Sequence, residues 1–178
     1  MEELRQFVRE VENLFDLPAF ILFAIIEVES SWKIESIRHE PKYRWLWDCK
    51  HNKSYPLSRS EEDNPQPPKD FPGSKTHEAQ MEYTYQRASW GLTQVMGGLA
   101  RETGYAGALP ALATKDGSKD AIIVAAKYLQ RLYRRYKDIQ PAISAYNAGN
   151  AKLIDGKYAN QKYVDKVNVA WMKYKKAL

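Results

Sequence analysis

Residues 17–31, LPAFILFAIIEVESS, decide the fold of this chain. From Leu17 to Ile26 the stretch is apolar on almost every side, which is typical of a helix at the centre of a domain. Asp16 and Pro18 predict its start at about residue 17, with the carboxylate as the cap and the proline in the first turn. The apolar run is far shorter than the roughly 20 residues of a membrane-spanning helix, so we expect no integral membrane segment.

Helical periodicity surrounds this central segment. Apolar residues recur at spacings of three and four from Leu4 to Phe15, which predicts a first helix. Ser118 is the expected N-cap of another long helix. The further predicted helices cover about 91–103 (ended by Gly104), 119–136, 139–147, 150–155 and 160–176. We therefore predict a mainly α domain, with any strand confined to residues 33–88.

Residues 33–88 lack this periodicity and carry six of the nine prolines. They predict a long irregular excursion whose 55–80 part is the most mobile region of the chain. Aromatic side chains near its start either pack the excursion onto the domain or line a groove. These aromatic residues are Tyr43, Trp45, Trp47 and Tyr55.

Charge and cysteine content exclude several classes. The 178 residues carry a net charge of +5, and the basic residues are concentrated after residue 115. That distribution favours either a polyanionic partner or simply solvated helix faces. The aromatic residues of this basic segment lie mostly at the spacing of core positions, so we expect no nucleic-acid partner. A single cysteine, Cys49, excludes an internal disulfide framework, and the three histidines form no ligand pair, so we expect no metal.

Glu29 is the first candidate for chemistry, because it ends the most apolar helix. Ile25, Ile26 and Trp32 are expected to share its helical face. Burial favours the neutral carboxylic acid, which can then donate a proton near neutral pH. Glu27 points about 200° away around the helix, so the two carboxylates are not expected to serve one site. The alternative is a structural, ion-paired glutamate.

Two further motifs are weak when taken singly. Residues 89–96, SWGLTQVM, combine a glycine that permits close approach with Gln94, whose amide suits sugar hydroxyl or acetamido groups. Residues 145–149, AYNAG, read as a helix C-terminus with left-handed Gly149, and Tyr146 could direct its hydroxyl into a cleft. An ordinary loop and an ordinary helix cap are the alternatives.

Taken in this order, E-S-x-W at 29–32, G-L-x-Q-x-M at 91–96 and A-Y-N-A-G resemble the soluble-type (SLT) lytic transglycosylases, which are related to goose-type lysozyme. Y-V-x-x-V at 163–167 is similar to the closing motif of that family. The resemblance implies a lysozyme-like fold that cleaves the MurNAc–GlcNAc β-1,4 bond of peptidoglycan glycan strands, as a monomer without cofactor or metal. In that family, the segment between the E-S motif and the G-L-x-Q motif is far shorter than it is here. We therefore expect residues 1–178 to be a single domain with an insertion at about 38–85.

The resemblance assigns roles only where the motifs match. Glu29 matches the catalytic acid/base of the family. Matches to substrate-binding positions are Ser30, Ser89, Gln94, Met96, Tyr146, Asn147 and Tyr163.

The reaction and the location leave alternatives open. Glu35 or Glu40 could be a second carboxylate, which would allow a hydrolytic muramidase on the same fold; pairing of Glu40 with Arg38 or Arg44 is the simpler account. A non-enzymatic wall-binding or virion module is a third reading. We expect action on the cell wall, in the periplasm, outside the cell or on a virion. The start, Met1-Glu2-Glu3, lacks a typical secretory signal, which suits a phage lysin, a tail-protein module or a bacterial enzyme whose leader was removed.

Overall fold

The computed structural model describes residues 1–176. Its helices are α1 (Glu2–Leu14), α2 (Ile21–Ser30), α3 (Ala79–Gln86), α4 (Gly97–Glu102), α5 (Ser118–Tyr136), α6 (Ile139–Ala148) and α7 (Gln161–Lys176), with a 3-10 helix at Leu109–Ala113. The strands are β1 (Ile37–His39), β2 (Trp45–Asp48), β3 (Lys53–Pro56), β4 (Ala88–Trp90), β5 (Val95–Met96), β6 (Leu153–Ile154) and β7 (Lys157–Tyr158). The predicted mainly α class is confirmed. The expected domain end at 178 lies outside the described residues.

The chain divides into two compact units. Unit 1 comprises residues 1–32 and 125–178, and unit 2 comprises residues 33–124. No helix within residues 1–176 is both long and apolar enough to cross a membrane.

The core of unit 1 is α2, as the apolar stretch predicts. Every residue from Ile21 to Ile26 is buried, and α2 packs mainly against α7. The predicted start at residue 17 is wrong, because Asp16 and Phe20 both have positive φ and the helix begins at Ile21. The cap is also different: the carboxylate of Glu12, on α1, accepts hydrogen bonds from the backbone N–H groups of Phe20 and Leu22.

The structure also differs from the predicted secondary structure between α6 and α7. Residues 150–155, predicted as helical, instead contribute β6, which pairs antiparallel with β7 across a turn at Asp155 and Gly156. The helices predicted on either side are confirmed as α6 and α7, and Gly149 ends α6 in the left-handed conformation.

The insertion in unit 2 is more regular than its sequence predicts. β2 and β3 form an antiparallel hairpin, and α3 follows. These elements enclose a small core made of Leu46, Leu57, Phe71 and Tyr83, against which Tyr43 and Tyr55 pack. The expectation of an irregular excursion is therefore wrong for β2, β3 and α3, whereas residues 57–78 contain no helix or strand. Tyr43 and Tyr55 do pack, but against the core of the insertion itself, so their packing onto the rest of the domain stays a prediction. The core residues lie far apart in the sequence, so no periodicity revealed them.

Residues 91–103 also differ from the predicted helix. β4 and β5 form a hairpin whose turn has positive φ at Gly91 and Gln94, and only α4 is helical. A Cβ on Gly91 would lie 2.2 Å from the carbonyl oxygen of Leu112, so this turn requires glycine. Strands β5 to β7 show that strands are not confined to residues 33–88. Gly104 does follow the end of α4.

The start of α5 is shifted by one residue from the expected cap. Ser118 is the first residue of the helix rather than its N-cap, and its hydroxyl donates to the carbonyl oxygen of Lys115.

Candidate active site

Glu29 lies in the last turn of α2 and is half-buried. Ile25 and Ile26, one turn before it, are fully buried, as predicted. The phenol of Tyr163, on α7, donates a 2.7 Å hydrogen bond to Oε1 of Glu29. A carboxyl group at the end of a rigid, buried helix is thereby held in one orientation by a neighbouring helix.

Tyr163 remains a neutral donor. Burial of its hydroxyl raises the pKa of Tyr163 well above the usual value, and the nearby charge of Glu29, its hydrogen bond to Glu29 and the neighbouring hydroxyl of Tyr146 act in the same direction. A phenol that does not ionise can hold the carboxylate by hydrogen bonding without adding negative charge. Sequence comparison gave Tyr163 a substrate-binding role, whereas its observed contact is with Glu29 itself.

Tyr146 and Asn147 lie in the last turn of α6, in the same unit. Tyr146 is buried, and its ring lies 5.5 Å from the ring of Tyr128. Asn147 is exposed, and its Oδ1 accepts a 3.0 Å hydrogen bond from Nδ2 of Asn160. Asn160 also accepts from the hydroxyl of Ser144, at 2.7 Å, and it directly precedes α7.

Sequence reasoning missed Asn160 and Ser144. Asparagine is a favoured residue just before a helix, so the start of α7 was the available signal for Asn160. The side chain of Asn160 joins the end of α6 to the start of the helix that carries Tyr163.

Glu27 has different partners from Glu29, as the helical geometry predicts. Its carboxylate accepts a 2.9 Å hydrogen bond from the hydroxyl of Tyr174 and lies 3.8 Å from the ammonium of Lys173. Tyr163 and Tyr174 are separated by about 16 Å along α7, since a helix rises about 1.5 Å per residue. The two carboxylates of α2 thus reach opposite ends of α7.

Trp32 does not share the helical face of Glu29. Ser31 and Trp32 both have positive φ, so the helix ends at Ser30 and the expected i+3 relationship is wrong. The indole N–H of Trp32 donates to the hydroxyl of Tyr174, on the Glu27 side. Ser30 is buried, and its hydroxyl donates to the carbonyl oxygen of Ile26 at 3.2 Å.

The remaining predicted binding residues come together in unit 2. Ser89 on β4 pairs with Met96 on β5, and the Ser89 hydroxyl lies 2.9 Å from Oε1 of Gln94. Nε2 of Gln94 donates to the carbonyl oxygens of Ser36 and Gly91, each at 3.0 Å. The amide of Gln94 therefore organises the β4–β5 turn.

The candidates for a second carboxylate also lie in unit 2. Arg38 and Glu40 form an ion pair with a 2.5 Å N–O distance, as the simpler account predicted, and Glu35 is exposed. Among residues 1–176, no group of three histidine, cysteine, aspartate or glutamate side chains could hold a metal ion.

A scan against family models matches residues 6–168 to the transglycosylase SLT domain. The chain belongs to the SLT transglycosylase family. Searches of curated proteins and of solved structures found no match. The match contains Glu29, Tyr146 and Tyr163, and it spans the insertion. This SLT domain is a lytic transglycosylase, and it acts on the peptidoglycan of the cell wall.

Proposed function

We propose that Glu29 is the catalytic acid/base of this SLT domain and that the product carries a 1,6-anhydro-MurNAc ring. The observation that carries this proposal is the hydrogen bond from Tyr163 to Glu29, which gives one carboxyl group of α2 a fixed orientation. Glu27 has an equivalent tyrosine but also a cationic neighbour, Lys173. The E-S-x-W motif at 29–32 contains Glu29 and not Glu27, which favours Glu29 for the acid role.

The reaction needs one group that donates and then accepts a proton. In the first step, Glu29 as a carboxylic acid protonates the glycosidic oxygen while the bond from C1 to that oxygen breaks. In the second step, the Glu29 carboxylate takes the proton of the MurNAc 6-hydroxyl, and O6 forms the new bond to C1. Glu29 ends protonated, ready for the next cycle. The 6-hydroxyl is tethered to the reacting ring, so its effective concentration is high.

We further propose that the other motif residues bind sugar and acetamido groups of the glycan strand. This set comprises Ser30, Ser89, Gln94, Met96, Tyr146 and Asn147. Tyr163 is a positioning residue in this scheme, because it acts through Glu29. The whole chain would act as one monomeric domain with its insertion at 38–85, and it would reach the wall from the periplasm, from outside the cell or on a virion.

Mass spectrometry of muropeptides from digested sacculi tests the reaction. Anhydro products weigh one water less than the products of a hydrolase and resist reduction by borohydride. If the products were predominantly reducible, the reaction would be hydrolysis and not transglycosylation. Glu40→Gln and Glu35→Gln would then identify the second carboxylate.

Substitution of the two α2 glutamates tests the catalytic assignment. Glu29→Gln keeps the shape of the side chain but cannot transfer the proton, so lysis should fall by at least about 100-fold. Glu27→Gln is the matched control on the same helix and should keep most of the lytic activity. If Glu27→Gln were folded and inactive while Glu29→Gln lysed normally, the two roles would be reversed.

A further inference from the structure

The β2–β3 hairpin of the insertion has two different faces. On its inner face, Leu46 is buried in the small core of unit 2. On its outer face, Trp45 is 60% exposed, and Trp47, two residues later, is half-buried. Cross-strand pairing places Pro56 beside Trp45. Trp45, Trp47 and Pro56 therefore form one contiguous apolar patch, and a contiguous exposed patch, unlike a single exposed residue, can mark a binding site.

The strand that carries these indoles is held by buried polar groups. The side chain of Gln86 is fully buried. Its amide oxygen accepts a hydrogen bond from the backbone N–H of Trp47 at 2.7 Å, and its amide nitrogen donates to the backbone carbonyl oxygen of Trp47 at 2.9 Å. The same Nε2 lies 2.9 Å from Glu82, which is ion-paired with Arg101 at 2.7 Å. Burying such groups has a substantial desolvation cost, and here they fix the position of an otherwise exposed strand.

Close packing on α4 reinforces this rigidity. A Cβ on Gly98 would lie 2.6 Å from the carbonyl oxygen of Trp45, so the strand approaches α4 as closely as a glycine permits. A rigid aromatic surface loses little conformational entropy when it binds a ligand.

Positive charge surrounds the exposed indole. The guanidinium of Arg44 lies 5.3 Å from the ring centroid of Trp45. Within residues 42–56 the other lysine and arginine residues, Lys42, Lys50 and Lys53, are all exposed. The one acidic residue in this range, Asp48, is buried and accepts backbone hydrogen bonds from Lys50 and His51. The hairpin therefore combines an open aromatic ring on its outer face, beside the guanidinium of Arg44, with a net positive charge along its length.

We propose that this outer face, formed by Trp45, Trp47, Pro56 and Arg44, is a further binding surface for the peptidoglycan strand, made of residues other than the motif residues. The C–H face of a pyranose ring would stack on the indole of Trp45, and the carboxylates of the peptide stems would meet the lysines. The proposal rests on the proposed function for its ligand, and charge complementarity with an acidic, sugar-based polymer selects that ligand.

Sedimentation with purified sacculi tests the proposal without cleavage. Glu29→Gln is the background, and released muropeptides are monitored so that any remaining cleavage reports a failure of the catalytic assignment instead. Adding Trp45→Ala should weaken binding about tenfold, in the range of an aromatic contact at the centre of an interface. Trp45→Tyr should restore most of the binding, because it keeps a flat ring. Leu14→Ala, at a 76% exposed apolar residue of unit 1, is the matched control and should bind normally.

Charge and sugar contributions are separated in the same assay. Arg44→Gln should weaken binding severalfold at low salt and less at high salt, because salt screens the attraction between its guanidinium and the carboxylates. Soluble GlcNAc oligomers, which lack stem peptides, should compete with sacculi more effectively for the Trp45 protein than for its Trp45→Ala variant, which keeps only the sugar-binding motif residues. The proposal is overturned if a folded Trp45→Ala variant, checked by thermal unfolding, binds sacculi like Leu14→Ala, or if the oligomers compete equally with both proteins.

Discussion

The hydroxyl of Tyr163 donates to the carboxylate of Glu29 across 2.7 Å, from the first turn of α7 to the last turn of α2. Near the other end of α7, Tyr174 makes the same type of contact with Glu27. Both pairs join a tyrosine hydroxyl to a carboxylate, and only one of them contains the glutamate of the family motif. This arrangement allows the proposed catalytic role of one tyrosine–carboxylate contact to be compared with a structural role of the other within one pair of helices.

Tyr163→Phe is predicted to lower kcat/KM for sacculi by about 10- to 100-fold, because a hydrogen bond to a charged group contributes about 1.5–3 kcal/mol. The substitution removes one hydroxyl and keeps the ring that packs between the helices. Turbidity loss of a sacculus suspension measures the rate.

Tyr174→Phe is the matched control for that measurement. It removes the hydrogen bonds to Glu27 and Trp32, so it should lower the free energy of unfolding while leaving lysis within a few-fold of the parent protein. Equal losses of activity in the two variants would mean that both tyrosines act only through stability.

Glu82→Gln is predicted to destabilise the protein by about 3–5 kcal/mol, because it leaves the guanidinium of Arg101 buried without its carboxylate. Arg101 is 5% exposed and Glu82 is fully buried. The measurement is urea denaturation, and the comparison is Arg38→Gln. That substitution breaks the more exposed pair with Glu40 and should change stability by less than about 1 kcal/mol. Similar losses in the two variants would contradict the structural role of the buried pair.

The predictable part of the molecule is the part whose signal is local. The central helix, the long final helix and the left-handed Gly149 follow from periodicity and from residue preferences at helix ends. Glu29 follows from its position in an apolar helix together with a motif. Each of these features depends on residues within a few positions of one another, which is the range over which a single sequence is informative.

The features that the sequence did not predict depend on distant partners. In the sequence, Glu12 is one more polar position on α1. Its role depends on the backbone N–H groups at the start of α2, which contact it only in the folded protein. Gln86 and Arg101 look like ordinary surface residues, yet both are buried because Glu82 and the β2 strand occupy their polar atoms. Single-sequence patterns do not report such pairings, so the insertion appeared irregular.

Arg87→Met is predicted to increase proteolysis of the insertion severalfold or more. The guanidinium of Arg87 donates to the carbonyl oxygens of Glu62 and Asn64, and its removal frees that loop. We expect the first cut in the parent protein within residues 55–80, as the sequence predicts, and a faster cut at the same place in the variant. Cleavage follows the population of the open loop when opening is fast. Limited proteolysis with mass mapping gives the site and the rate, and a first cut elsewhere in both proteins would contradict the prediction.

Glu12 is predicted to make folding less favourable as the pH rises from about 4.5 to about 7. Burial raises the pKa of Glu12 from 4.5 to about 7, against the lowering effect of the backbone N–H groups of Phe20, Leu22 and Phe23 and the charge of Arg9. Between these two pH values the folded protein keeps a proton that the unfolded chain releases, so the free energy of unfolding falls with increasing pH, by about 3 kcal/mol in all.

Other carboxyl groups act in the opposite direction, because the pKa values of Asp48 and Glu82 are lowered in the folded protein and their contribution is lost as the pH falls. The decisive quantity is therefore the difference between Glu12→Gln and the parent protein in urea denaturation at pH 5 and pH 8. The glutamine variant does not titrate, so its stability relative to the parent should increase by about 2.5 kcal/mol between the two pH values. Glu10→Gln is the control for replacing a glutamate at an exposed position of the same helix. A pH-independent difference for Glu12→Gln would mean that the backbone N–H groups at the start of α2 fully offset the cost of burying the Glu12 carboxylate.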